Sequence, residues 1–194
     1  CAAVLMDAQT TRVLAAQNAH ARLPMASTTK IMTALLALEI SKLNELVTVP
    51  KEAYGKEGSS IYLNLGEKMT MEDLLYGLML ASGNDAAIAI AVHLGGSIEG
   101  FAEQMNARAT ALGCTNTHFV TPNGLHDAEH YSSAYDMALI ASAAMKHPLF
   151  RTIVNTKYRQ TTSGDVVRTF KNKNKLLWQY EGGNGIKTGF TKAS

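Results

Sequence analysis

Between Ile31 and Met145 this chain is a succession of apolar, alanine-rich segments with helical spacing, and on both sides of that stretch it alternates like strands. That order narrows the choice of fold more than any other property of the sequence. Strands at the two ends of one chain commonly join one sheet, so the expected architecture is an α/β (α+β) lobe, an antiparallel sheet flanked by helices, with an all-helical lobe inserted into it. The sheet lobe is drawn from about residues 1–26 and 150–194 and the helical lobe from about 27–149. Val4–Asp7 and Arg12–Ala16 read as a hairpin, Thr156–Thr161 and Val166–Phe170 as a second one around Ser163-Gly164-Asp165, and Ile186–Thr191 as a last strand. Helices are expected from Ser27 to Ser41, from Thr70-Met71-Glu72-Asp73 (a capping box with Asp in place of Glu) through Met79, from Asp85 to Leu94, from Ile98 to Leu112, and from a Ser133 cap to Lys146, where Pro148 ends the run. Val47-Thr48-Val49 is a short extended piece and residues 51–60 a loop. A cleft between two lobes is a favoured place for a ligand.

Bulk properties exclude several classes. The 194 residues are 46% hydrophobic with a net charge of +2, ordinary for a globular chain, and no apolar run is long enough to span a membrane. The nearest approach to a charge block, Lys171-Asn172-Lys173-Asn174-Lys175, reads as a solvated loop, and no nucleic-acid partner is expected. Cys1 and Cys114 fit no zinc or redox spacing, and Cys114, after Leu112-Gly113, reads as a small buried hydrophobe. The chain opens inside what reads as a strand, so a missing signal peptide does not argue for the cytosol.

Three short motifs carry chemistry. Ser27 and Lys30 are one helical turn apart at the head of the run Ile31-Met32-Thr33-Ala34-Leu35-Leu36, so the amine reaches the hydroxyl without help from a distant segment. Burial and the positive end of a helix both disfavour a charged ammonium, and a neutral lysine can take the proton of a serine nucleophile. Taken alone, the pair reads equally as a serine cap and a solvated lysine. Ser82-Gly83-Asn84 lies in the tight connection between two helices, where Gly83 permits unusual backbone angles and both flanking side chains can face a cleft; alone it is also a common turn. Lys187-Thr188-Gly189 lies on the last expected strand, with Gly189 leaving room for another backbone to approach.

In that order, Ser-x-x-Lys, Ser-x-Asn and Lys-Thr-Gly resemble the signature of the serine penicillin-recognising enzymes. The flanking segments 24–33, 73–86, 131–138 and 185–191 resemble the low-molecular-mass D-alanyl-D-alanine carboxypeptidases, peptidase family S11, across essentially the whole chain. The resemblance implies a DD-peptidase/β-lactamase-like fold and removal of the terminal D-alanine from peptidoglycan stem peptides through an acyl-enzyme, outside the cytoplasm, with β-lactams acylating the same serine. It implies Ser27 as nucleophile, Lys30 as general base, Ser82 as proton relay, Asn84 on the substrate amide, Lys187 in electrostatic support and Thr188 on the terminal carboxylate. Backbone N–H groups of Ser27 and Phe190 would form the oxyanion hole, with Gly189 between Thr188 and Phe190 on the substrate-binding edge. No cofactor or metal is implied. The family pattern continues past the Lys-Thr-Gly strand with further strands, a carboxylate-clamping cation and a C-terminal membrane anchor. The chain is therefore expected to be a fragment, with a second piece of the same polypeptide pairing beside residues 186–191 and any membrane association lying in that further segment.

Three readings compete. His126-Asp127-Ala128-Glu129-His130 matches an inverted zinc-protease pattern, but it sits in a polar segment rather than on a helix and reads as a loop coincidence. A class A β-lactamase would carry Asp in place of Gly83 and an acidic residue before a Leu-Asn pair, and neither is present between Ser82 and Lys187. A penicillin- or cell-wall-binding module without turnover is the non-enzymatic alternative.

Overall fold

The computed structural model describes residues 1–190; Thr191, the end of the last expected strand, lies outside the described residues. The element that organises the molecule is α1, Lys30–Ile40, which enters from a 3-10 turn at Ala26–Thr29. Every residue from Lys30 to Ala37 is buried. A helix apolar on all sides must be covered on all sides, and α1 is surrounded by α2 (Met71–Leu80), α3 (Asn84–Gly95), α4 (Ile98–Ala111), α5 (Ala134–Met145) and α6 (Pro148–Asn155). The caps are as the residues suggest. Thr70 accepts from the Asp73 N–H, Ser97 from Gly100 and Ser133 from Asp136, while α3 ends on Gly96 in the left-handed conformation.

Among the described residues the strands form three separate antiparallel pairs, not one sheet built from both ends. β1 (Ala3–Met6) pairs with β2 (Val13–Gln17) and lies against α5. β3 (Leu46–Thr48) pairs with β4 (Lys68–Thr70), with buried Val47 opposite buried Met69. β5 (Tyr158–Ser163) pairs with β6 (Val166–Lys171) and packs on α2. β4 escapes a sequence reading because three residues, only one of them buried, show no period.

Three further expectations are corrected, for Pro148, the last strand and Cys114, and one element, α7, is added. Pro148 does not only stop α5; it occupies the first turn of α6, where its missing N–H costs nothing, and Phe150, Ile153 and Val154 are buried beneath it. Leu176–Gln179 forms a single helical turn, α7. Ile186–Phe190 has no ladder partner among the described residues, so it is an extended segment and not a strand. Cys114 is half-buried rather than buried, and both cysteines are free.

One ion pair fixes the loop that leads to the functional cleft. Arg168 on β6 meets Glu67 with both side chains over nine-tenths buried, and the same guanidinium donates to the carbonyls of Ile61 (2.9 Å) and Tyr62 (2.8 Å). Opposite this contact Gly77 of α2 lets Ile61 approach, since a Cβ there would lie 2.7 Å from Ile61 Cδ1. Arg168→Ala would strand the Glu67 carboxylate and two loop carbonyls, and should lower the unfolding free energy by about 3–5 kcal/mol in urea denaturation. A loss below about 1 kcal/mol would mean that water reaches the pair freely.

Candidate active site

Lys30 has no solvent exposure, and three oxygens from three parts of the chain surround its amine. Nζ lies 3.0 Å from Ser27 Oγ, 2.8 Å from Asn84 Oδ1 and 2.6 Å from the carbonyl oxygen of Asn123. A neutral amine has two N–H donors and one lone pair. In that form the acceptor-only oxygens of Asn84 and Asn123 take both donors and the lone pair is left for the Ser27 hydroxyl; in the ammonium form Nζ donates to all three oxygens. Burial holds the Lys30 amine well below its ordinary value, with Lys187 and Lys173 pushing the same way and Asp85 opposing.

The Asn123 carbonyl is held in place by the turn at 121–124. Thr33 on α1 donates to the Pro122 carbonyl at 2.6 Å, and Gly124, with φ +85°, presses so closely on the Ala26 carbonyl that no side chain fits. His130 braces the far side. Its Nδ1 accepts from the Val120 N–H at 3.0 Å, so Nε2 carries the proton and donates to Thr29 Oγ1 at 2.8 Å. With both ring nitrogens committed and His126 and Glu129 on the exposed part of a loop, the zinc-protease spacing converges on nothing here.

At the second motif the backbone differs from expectation. Gly83 has an ordinary φ of −57°; Ser82 takes the left-handed conformation instead, at φ +63°. Gly83 is small for a different reason: a Cβ would meet Asp85 Oδ1 at 2.9 Å and Ile61 Cγ2 at 3.2 Å. Ser82 is buried but is not among the hydrogen-bond partners of Lys30 within the described residues. The Asn84 amide is used at both ends, accepting from Lys30 and donating to the Glu57 carbonyl at 2.7 Å. Asp85, buried beside it, collects the Ser60 hydroxyl (2.6 Å) and the N–H groups of Ile61 and Leu63 (3.1 Å each).

The third motif crosses in front of Ser27. Gly189 lies against the turn that carries Ser27: a Cβ at 189 would sit 3.1 Å from the Met25 carbonyl and 3.2 Å from the Ser27 nitrogen. Lys187 is half-buried, its Nζ donates to the Thr188 carbonyl at 2.7 Å, and burial followed by Lys173 lowers it to about 8. Thr188 and Phe190 are exposed. The three motifs, spread from Ser27 to Gly189, thus come to one place, and among the described residues the side chains of Ser82 and Thr188 have no hydrogen-bond partner.

A family model described as D-alanyl-D-alanine carboxypeptidase, peptidase S11, matches residues 1–194. The chain belongs to the peptidase S11 family. It is 40% identical to the D-alanyl-D-alanine carboxypeptidase DacF of Bacillus subtilis, over 97% of this chain and 50% of the relative. It is also 40% identical to a D-alanyl-D-alanine carboxypeptidase of Streptomyces sp. strain K15, over 95% of this chain and 69% of the relative. A serine-to-alanine variant of the Streptomyces K15 DD-transpeptidase superposes with a TM-score of 0.93 at 36% identity, over 100% of this chain and 81% of that one. A D-alanyl-D-alanine carboxypeptidase from Mycobacterium tuberculosis gives 0.94 at 34% identity, over 99% and 73%. The chain spans about half the length of DacF.

Within this S11 chain, sequence reading missed four participants. The Asn123 carbonyl is invisible to residue type. Asp85 acts through loop amides that no spacing reveals, Lys173 hides among neighbouring lysines, and His130 stood out only for a metal pattern. His130 gives a test. Burial, with His118 and His126 adding and Asp127 opposing, lowers it to about 4, so the unfolded chain binds the extra proton between about pH 4 and 6.5. Its contribution is complete above about pH 6.5 and is lost as pH falls toward 4, at most about 3 kcal/mol. Unfolding free energies of the wild type should therefore fall more steeply over that window than those of His130→Asn, which is less stable at neutral pH but flatter; parallel curves would show that the ring is not held neutral by the fold.

Proposed function

We propose that this chain forms the catalytic region of a serine D-alanyl-D-alanine carboxypeptidase that acts on peptidoglycan stem peptides outside the cytoplasm and is acylated by β-lactams. The observation that carries this reading is the fully buried Lys30 amine, 3.0 Å from Ser27 Oγ with its two other neighbours both acceptors. The Lys30 lone pair takes the Ser27 proton as Oγ attacks the carbonyl carbon of the penultimate D-alanine. The C–N bond then breaks, the leaving amine gains a proton by way of Ser82, and D-alanine departs. Water attacks the resulting ester and gives a proton to Lys30, which passes it to Ser27 Oγ as the ester C–O bond breaks, so that Ser27 is regenerated. Thr188 and Lys187 receive the terminal carboxylate. The Ser27 and Phe190 N–H groups face the oxyanion, where such a donor contributes about 3–4 kcal/mol to lowering the barrier. The reaction takes place between a helical lobe of about residues 27–149 and a lobe drawn from both chain ends.

Mass spectrometry after brief exposure to penicillin, with the adduct located by digestion, should find one acyl group on the Ser27 peptide and none in Ser27→Ala, and D-alanine release from a D-Ala-D-Ala peptide should vanish with it. An adduct that survives Ser27→Ala removes the nucleophile, and rapid penicillin turnover in place of a lasting adduct assigns the site to a β-lactamase.

Gly189 gives a second test. A Cβ there approaches the Ser27 nitrogen to 3.2 Å and so crowds the proposed oxyanion donor. Gly189→Ala should slow acylation about a hundredfold, the cost of losing one such donor, while the melting temperature moves by only a few degrees. Unchanged acylation would remove the Ser27 N–H from the oxyanion hole.

A further inference from the structure

The lysines of the 171–175 stretch do not sit in a featureless loop. Lys157 Nζ and Lys171 Nζ lie 5.2 and 5.3 Å from the centre of the same indole ring, that of Trp178. Tyr158 meets Trp178 edge-on at 5.2 Å, and the indole is oriented by its Nε1, which donates to the Asn172 carbonyl at 3.3 Å. Lys171, Asn172, Lys173, Lys175, Trp178 and Gln179 line a groove of about 600 Å³, which Lys157 and Tyr158 adjoin through the Trp178 ring. Among the described residues none of Lys157, Lys171, Lys173 or Lys175 forms an ion pair. Two ammonium groups gathered on one ring repel each other; the ring quadrupole offsets part of that repulsion, and a bound anion would offset the rest. Trp178 and Tyr158 nevertheless remain 39% and 55% exposed, so flat apolar faces stand open between unpaired cations.

Lys173, on the wall of the groove, links it to the active site. Lys173 Nζ donates to Ser59 Oγ at 2.9 Å, and the Ser59 carbonyl accepts from the Asn84 N–H at 2.7 Å. The groove therefore adjoins the segment bonded to Asn84, the residue that faces the acyl half of a substrate in the proposed reaction. We propose that it is a subsite for the acidic sugar–peptide portion that precedes the scissile D-Ala-D-Ala bond, with stem carboxylates on Lys157, Lys171 and Lys175 and the C–H face of a sugar ring on Trp178. This rests on the carboxypeptidase reading and adds to it the source of preference for polymer-derived substrate over a bare peptide.

The test uses the full-length protein and compares kcat/KM for D-alanine release from a neutral diacylated tripeptide ending in D-Ala-D-Ala and from a disaccharide pentapeptide with a free stem carboxylate. The disaccharide pentapeptide should be favoured about tenfold at low salt, and the advantage should shrink about threefold between about 50 and 300 mM salt as the lysines are screened. Amidating the stem carboxylate should remove most of it. In the triple variant K157Q/K171Q/K175Q the ratio between the two substrates should fall to about twofold, with the loss confined to the charged substrate. Equal efficiency on both substrates in the wild type, or an advantage untouched by salt and amidation, overturns the proposal. So does inhibition by poly(glycerol phosphate) with no preference between the two peptides, which would assign the groove to a phosphate polymer. Failure of the underlying reading looks different: neither substrate releases D-alanine.

Discussion

The structure depends on keeping one lysine amine out of water. Lys30 heads a helix that is buried on every side, so its amine cannot reach solvent and must find partners in the fold. The partners come from positions 3, 54 and 93 residues away. Satisfying that single group obliges the connection before α3 and the turn at 121–124 to close on the head of α1. Around them a second set of contacts prevents drift: Thr33 on the Pro122 carbonyl, Thr29 on His130, Gly124 on Ala26. Leaving any one acceptor out would expose a buried polar group to a cost of about 1–3 kcal/mol or more. The same contacts that stabilise the core therefore also set the basicity and aim of the amine.

Two of the five non-glycine residues with positive φ among the described residues lie at the same place: Ala26, next to Ser27, at +47° and Ser82 at +63°. Such residues persist only where their surroundings over-determine them, and functional turns are where they gather. Glycine relieves crowding at three positions here, Gly83 against Asp85, Gly124 against Ala26 and Gly189 against Ser27, and Gly124 also has a positive φ.

Most of the helical scaffold was legible because helix periodicity and caps are local. Thr70, Ser97 and Ser133 cap where their residue types suggest, and α3 stops at its glycine pair. The three motifs were legible as side chains in a fixed order. What the sequence left dark is what residue type does not encode. A carbonyl donated by Asn123, a proline that begins α6 instead of ending α5, and a strand pairing three residues long all depend on where other segments come to lie. Gly83 shows the same limit from the other side: the glycine was noticed, but its neighbour carries the unusual angle, because tertiary crowding and not backbone freedom governs that position.

Asp85 has one further consequence. Its carboxylate takes the N–H groups of Ile61 and Leu63 and the hydroxyl of Ser60, and Arg168 grips the next carbonyls of the same loop. The rim of the cleft over residues 59–63 is therefore tied to α3 on one side and to β6 on the other, both by charged groups. A segment held this way opens only with the elements that hold it, on the timescale of sub-global unfolding and not of loop motion. A ligand that arrives along this wall meets a surface fixed by those contacts, and its approach there is governed by diffusion and orientation.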